Sequence, residues 1–238
     1  MSAFLYGVVL QCKLDMRSKS LLITCYVVPL LFFALMGGIF TSINPAARET
    51  LIQSMTVMGI AMGALIGLPP SLAEIYGSDI KKVYKANGVP MYLGLVAMLL
   101  SAFVHLLIMS VILYIVAPIA FDAATPENPL FYFGMLSIFI VVSLSVGCAL
   151  GLSVKGQAKL TMISQLLFLP SIMLSGIMFP TDLLPKALES VGKIFPAFWG
   201  YKLMTGQSFQ PGWLAPLVGS FLIAIGICGY ALSRKTKE

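Results

Sequence analysis

Charged side chains are scarce in this chain. Only 10% of its 238 residues are Asp, Glu, Lys or Arg, whereas 59% are hydrophobic. A typical soluble domain has about 25% charged residues, so this chain lacks the polar groups needed to cover a water-facing surface. The composition therefore predicts an integral membrane protein, and its length favours a single membrane-embedded body.

Metal-ligating and disulfide patterns are also missing. The four cysteines are scattered, none belongs to a CxxC pair, and His105 is the only histidine. Cys25, Cys148 and Cys228 lie in apolar runs, where we interpret them as small packing residues. We therefore predict no metal site.

Two further absences narrow the possible energy sources. No GxxxxGK[ST] phosphate loop occurs, and the one Gly-Lys pair, Gly192-Lys193, is followed by Ile194. Among ionisable residues, only His105 lies well inside an apolar run, which argues against a proton-coupled carrier and a carboxylate-based membrane enzyme. If the protein uses an energy source, the energy must come from another chain or from an ion gradient.

Six apolar runs are long enough for helices that cross a bilayer, which takes about 20 residues. Barrel strands would be shorter and would alternate in polarity. We therefore predict an all-α membrane protein with six transmembrane helices. The predicted spans are Leu21–Phe40, Leu51–Pro70, Met91–Ala117, Leu130–Val154, Leu160–Phe179 and Trp213–Leu232.

The basic residues predict the orientation. With both termini cytoplasmic, eleven of the 15 Lys and Arg residues fall in cytoplasmic segments. This bias follows the positive-inside rule, so we expect cytoplasmic N- and C-termini. The net charge of +6 then reflects membrane topology, and we predict no nucleic-acid partner.

Residues 1–19 are too short and too polar to form a span. Leu5, Val9 and Met16 share a helical face that Lys13 and Arg17 avoid. This pattern predicts an amphipathic helix in the cytoplasmic interface, with residues 20–238 forming the six-span domain.

Residues 71–90 carry five charges between two apolar runs. Apolar residues recur there at helical spacing, and Glu74 and two lysines face away from them. The turn residues Asn87-Gly88-Val89-Pro90 end the segment. We predict that Pro69-Pro70 interrupts the preceding span and that an amphipathic cytoplasmic helix follows it. Such a helix would be a docking site for a cytosolic partner.

Residues 178–202 contain three prolines and a broken apolar pattern. We predict a re-entrant helical hairpin of one or two short helices after the fifth span, forming a lid or wall of a translocation path. An outer-surface helix that only anchors the fold is the alternative.

Small and weakly polar residues mark the spans. Glycines spaced four apart predict close helix packing, within one subunit or between two. They are Gly59, Gly63, Gly67, Gly147 and Gly151. The serines, glutamines and methionines of the second and fifth spans suit a path for an amphiphile better than one for an ion.

The chain resembles an ABC-2-type permease, the membrane subunit of an ATP-binding cassette exporter. The resemblance covers nearly the whole chain. It rests on the entry helix, the six spans, AEIYGSDIKKVYKANGVP after the second span, and QLLFLPSIMLSGIMFPTDLLPKALESVGKIFPAFW at Gln165 to Trp199.

This resemblance implies a pair of permease subunits, either a homodimer or a heterodimer, surrounded by lipids of the plasma membrane. Two cytosolic ATPases below the pair would bind the ATP and Mg. The pair would export a lipid, peptide, drug or lipid-linked glycan. The implied ATPase-coupling residues are Glu74, Tyr76, Gly77, Asp79, Ile80, Lys81, Lys82 and Tyr84. From the polar and adaptable residues of the fifth span and the start of the hairpin, we predict the path or lid residues Gln165, Ser171, Ser175, Met178, Phe179 and Pro180.

Two other functions are compatible with the residues. An ion-coupled carrier or channel would work without an ATPase and would depend on His105. A membrane scaffold or immunity protein would bind or protect without moving a substrate.

Overall fold

A computed structural model describes residues 3–77, 90–206 and 210–237, and helices are the only regular secondary structure in these ranges. We number the main helices in chain order. They are α1 (Ala3–Arg17), α2 (Ile23–Ile43), α3 (Leu51–Gly77), α4 (Met91–Phe121), α5 (Pro129–Ser153), α6 (Gln157–Met173), α7 (Lys186–Gly192), α8 (Pro196–Thr205) and α9 (Pro211–Lys237). The predicted all-α membrane fold is confirmed.

Five of these helices, α2, α3, α4, α5 and α9, are long and apolar enough to cross a membrane. Helix α6, in the place of the predicted fifth span, has 17 residues, near the lower limit of about 17–25 for a crossing helix. It ends at Met173, so the prediction that it continues to Phe179 is wrong. Gly176 explains the difference, because its φ of +89° cannot continue a right-handed helix.

Helix α3 is the centre of the bundle. Of the residues in its most apolar window, 89% are buried, and it packs against α2, α4, α5, α6 and α8. By contrast, only 17% of the corresponding window of α9 is buried. A helix that is apolar on all sides, as α3 is, belongs in the interior of a bundle. Any displacement of α3 therefore acts on most of the other helices.

Helix α3 continues through Pro69-Pro70, so the prediction that these prolines interrupt the span is wrong. A π-helical segment, Gly63–Gly67, precedes them, and the Leu68 amide donates to the Gly63 carbonyl. A π turn contains one extra residue and widens the helix. It therefore makes room for proline rings that would clash with carbonyls in a regular α-helix.

At the π segment and the prolines after it, α5 approaches the backbone of α3 closely. In the π pattern, residue 69 would donate to the Ala64 carbonyl, but proline has no amide hydrogen. The Ala64 oxygen instead lies against Gly147 of α5, where a Cβ atom would overlap it. One turn further along α5, a Cβ on Gly151 would come within 2.9 Å of the Pro69 oxygen. The two backbones can approach this closely because both positions are glycine.

Helix α1 packs along α4. Leu5, Val9 and Met16 are exposed, as expected for the lipid-facing side of an amphipathic helix. On the opposite side, Asp15 is buried and accepts a hydrogen bond from Ser101 of α4 at 2.5 Å. The attachment of α1 to the bundle is therefore partly polar.

After α6, the chain forms a 3₁₀ turn at Thr181–Leu183 and the two short helices α7 and α8. Helix α8 is held against the bundle, since the Phe139 ring of α5 occupies the space beside Gly200. Helix α7 instead leaves Leu188 and Val191 exposed. The two short helices match the predicted hairpin in number, and whether they enter the bilayer stays a prediction.

We expect Gly147→Ala to destabilise the protein, because the added methyl group meets a backbone oxygen that cannot rotate away. Overpacking of this kind typically costs about 1–3 kcal/mol. The test is thermal unfolding of the purified protein in detergent. Gly134→Ala is the matched control, since a Cβ at Gly134 of the same helix has no neighbour within 4 Å. Equal melting temperatures for the two variants would contradict the close approach of α3 and α5.

Candidate coupling segment and translocation path

The described part of the predicted coupling segment is the last turn of α3. Glu74 and Gly77 are exposed there, whereas Tyr76 is 2% exposed. The Tyr76 hydroxyl donates to the Met91 carbonyl at 2.8 Å and so links the end of α3 to the start of α4. Asp79, Ile80, Lys81, Lys82 and Tyr84 lie outside the described residues, so their predicted role is not examined by the structure.

This geometry separates two roles within the segment. Glu74 presents a charged carboxylate to the surroundings of the chain. Tyr76 is covered by its own chain and cannot contact a partner in this conformation, but it fixes the distance between the two helix ends. A force applied near Glu74 would therefore reach α3 directly and α4 through Tyr76.

The predicted path residues do not converge on one cavity. Ser171 and Ser175 are buried, but their hydroxyls donate at 2.8 Å to the Phe168 and Ile172 carbonyls of their own segment. Gln165 is exposed on the other side of α6. Met178 is half-buried, and Phe179 and Pro180 are exposed. These two serines mainly satisfy local backbone, which the sequence could not distinguish from a role in a path.

A cavity of about 50 Å³ lies where α3, α5, α6 and α8 meet. Its polar lining consists of Ser143 and Ser171, and Leu65 and Phe139 are among the apolar residues around it. Ligand pockets for small molecules usually measure about 300–1,000 Å³. This cavity is therefore too small for an amphiphile in the conformation described.

Helix α6 instead presents a continuous apolar face to the outside of the chain. Met162, Leu166, Leu169 and Met173 are each 49–63% exposed, and Gln165 lies beside them. Methionine and leucine make an adaptable apolar surface. In one subunit, this face can contact lipid or a second protein.

The predicted packing glycines all contact other helices of the same chain. Gly59 lies against Met109 of α4, Gly63 against Leu106 of α4, and Gly67 against Thr24 of α2. With Gly147 and Gly151 facing α3, all five positions support packing within one subunit.

Several polar groups of the second, fourth and fifth predicted spans are buried inside the bundle. The Tyr132 hydroxyl of α5 donates to Thr56 of α3 at 3.0 Å. Among the described residues, the side-chain oxygens of Gln53 and Ser164 have no hydrogen-bond partner. Their sequence positions marked Gln53 and Ser164 as polar residues of spans, but the pairing of Tyr132 with Thr56 joins residues 76 positions apart and has no local signal.

An aromatic and basic cluster surrounds α7 and α8. The Lys202 ammonium lies 5.3 Å from the Trp213 ring centroid and 5.8 Å from that of Phe198. Trp199 Nε1 donates to the Lys193 carbonyl at 2.7 Å. Lys193 also donates to Glu189 at 2.8 Å and holds the pKa of that carboxyl below its ordinary value. Such clusters are typical of helices that lie at a membrane surface.

We expect Tyr76→Phe to loosen the junction between α3 and α4, because it removes the donor to Met91 and retains the packed ring. Loss of one such hydrogen bond typically costs about 1 kcal/mol. Thermal unfolding and limited proteolysis between residues 77 and 90 measure the effect. Tyr92→Phe is the control, since Tyr92 is 56% exposed. A Tyr76→Phe protein as stable and protease-resistant as the control would argue against the proposed link.

A comparison with known protein families agrees with this architecture. A search among curated proteins gives no match. The family model described as ABC-2 type transporter matches residues 4–209, which include every helix from α1 to α8 except the first residue of α1. This match spans well over half of the chain. The chain therefore belongs to the ABC-2 type transporter family and is a permease, a non-catalytic membrane component of a transporter.

Proposed function

We propose that this permease forms a dimer, binds two cytosolic ABC ATPase subunits, and exports an amphiphilic or hydrophobic substrate across the plasma membrane. Family membership supports the general role of a transporter subunit. The permease itself would supply the path, and ATP with Mg would bind to the partner ATPases. Both termini would lie in the cytoplasm, as the distribution of lysine and arginine suggests.

The main observation in favour of ATPase coupling is the position of Glu74. It is an exposed carboxylate on the last turn of the most buried long helix in the described structure. Close-packed helices move as units and transmit displacement to their neighbours. A partner that pushes on this turn would therefore move α3 relative to the helices around it.

The exposed face of α6 supports a path between subunits. The cavity beside Ser171 is too small for an amphiphile, whereas the exposed face of α6 is long and apolar and carries the polar Gln165. We propose that the α6 faces of two permeases oppose each other and line the substrate path. A lipid, an amphiphilic peptide, a drug or a lipid-linked glycan fits this mixed surface.

Charge reversal tests the coupling. We expect Glu74→Lys combined with Asp79→Lys to lower substrate-stimulated ATPase activity at least tenfold in vesicles that contain permease and ATPase, because like charges would replace the attraction to basic groups of the ATPase. The double variant Glu49→Lys and Glu127→Lys is the control, since both residues are exposed on loops predicted to be outside the cell. The prediction fails if the first variant inserts normally and keeps full stimulated activity.

The same vesicles separate the proposal from the ion-coupled alternative. Export should require both the ATPase and ATP. Substrate flux by the permease alone under an ion gradient would instead support the carrier, and substrate binding without flux would support the scaffold.

Cross-linking tests the subunit arrangement. We expect Leu166→Cys, in a background without the native cysteines, to form a disulfide-linked dimer in native membranes. Ile223→Cys on α9 is the control, since its side chain is similarly exposed at 67% compared with 63% for Leu166. Efficient cross-linking at position 223 together with none at position 166 would move the proposed interface from α6 to α9.

A further inference from the structure

A small cavity lies where α1, α2, α3 and α4 meet, on the side of α3 away from the proposed path. Residues from all four helices line it, among them Asp15, Cys25, Gly63, Ser71 and His105. It has about 20 Å³ of space for the centre of a water molecule, and about 10–15 Å³ is enough to hold one water. The cavity thus has the size for one small polar ligand.

His105 is the unusual member of this lining. It is the only histidine in the chain, its residue is 2% exposed, and its Nδ1 atom lies 2.7 Å from the Tyr26 hydroxyl. Its Nε2 atom has no hydrogen-bond partner among the described residues. Buried ring nitrogens are rarely left unpaired, because they lose their hydrogen bonds to water without replacement. Since Nδ1 is already engaged, Nε2 is the atom of His105 available to a ligand in the cavity.

Asp15 provides a second polar group in the lining of the cavity. Its Oδ1 atom accepts from Gln11 at 2.9 Å, and its Oδ2 atom accepts from Ser101. Each carboxylate oxygen can accept two hydrogen bonds, so Asp15 retains capacity for another donor. Ser101 and His105 lie one helical turn apart on α4, which places the Asp15 contact and the imidazole on the same face of that helix.

The chemistry of the lining favours a neutral ligand over a metal ion. The described residues contain no group of three or more His, Cys, Asp or Glu side chains placed to hold a metal. A buried water typically has two to four polar partners, and the imidazole, the carboxylate and the Ser71 hydroxyl are available here. A water molecule also suits both neutral tautomers of His105, because it can donate to a bare Nε2 or accept from a protonated one.

We infer that this cavity binds one water molecule, which hydrogen-bonds to His105 Nε2 and joins α4 to the polar groups of α1 and α3. It would be a structural water at the contact between α1, α3 and α4. It lies beside the π segment, since Gly63 and Gly67 both line the cavity. This inference concerns the chain alone and is independent of the ATPase and of the exported substrate.

Solid-state NMR of the full-length permease in lipid bilayers tests the inference. Because the chain has one histidine, labelling with ¹⁵N-histidine gives imidazole signals from a single residue. We expect magnetisation to pass from water protons to Nε2, and the Nδ1 signal to report a hydrogen bond to Tyr26. Absence of transfer from water to Nε2 in the wild-type protein, or a direct hydrogen bond from Nε2 to another residue, would overturn the inference.

A variant whose larger side chain fills the cavity provides the matched comparison with the wild-type protein. Ala102 lines the cavity, so Ala102→Val should displace the water and abolish the transfer to Nε2 while the Nδ1 signal stays unchanged. Ala120→Val is the control, because Ala120 is exposed on the same helix. Transfer that persists unchanged in folded Ala102→Val protein would show that the water lies elsewhere and would overturn the assignment to this cavity.

Discussion

The close approach of α3 and α5 is the contact on which the rest of the bundle depends. It requires glycine at positions 147 and 151, because any larger residue would meet the backbone of α3 at Ala64 and Pro69. Since lipid is as apolar as the helices, such tight packing contributes much of the stability of a helical membrane protein. Helix α3 can therefore occupy the centre, with α2, α4, α6 and α8 arranged around it.

The fold was predictable where it depends on composition and span length. The long apolar runs correctly indicated all-α architecture, because a lipid-embedded backbone must satisfy its own hydrogen bonds. Two boundaries were wrong for local reasons. Pro69-Pro70 usually marks a helix end, but here the π segment accommodates both rings. The fifth apolar run extends to Phe179, yet the helix ends earlier because Gly176 adopts a positive φ.

The candidate site was less predictable, because exposure depends on which side of a helix faces the bundle. Ser171 and Gln165 belong to one helix and looked equally suited to a path, yet the first is buried and the second exposed. Tyr76 and Glu74 likewise share a turn but differ in burial. The hydrogen bond between Asp15 and Ser101 joins residues 86 positions apart and has no local sequence signal.

The π segment also sets the helical phase of the far end of α3. One extra residue in a turn rotates everything beyond it by about 100° relative to a regular α-helix. With that rotation, Leu72 and Tyr76 face the bundle and Glu74 faces outward. A helix without the extra residue would not place Leu72 and Tyr76 toward the bundle and Glu74 outward. The wide turn therefore ties the outward direction of the Glu74 carboxylate to the burial of Leu72 and Tyr76 on the other side of the same turn.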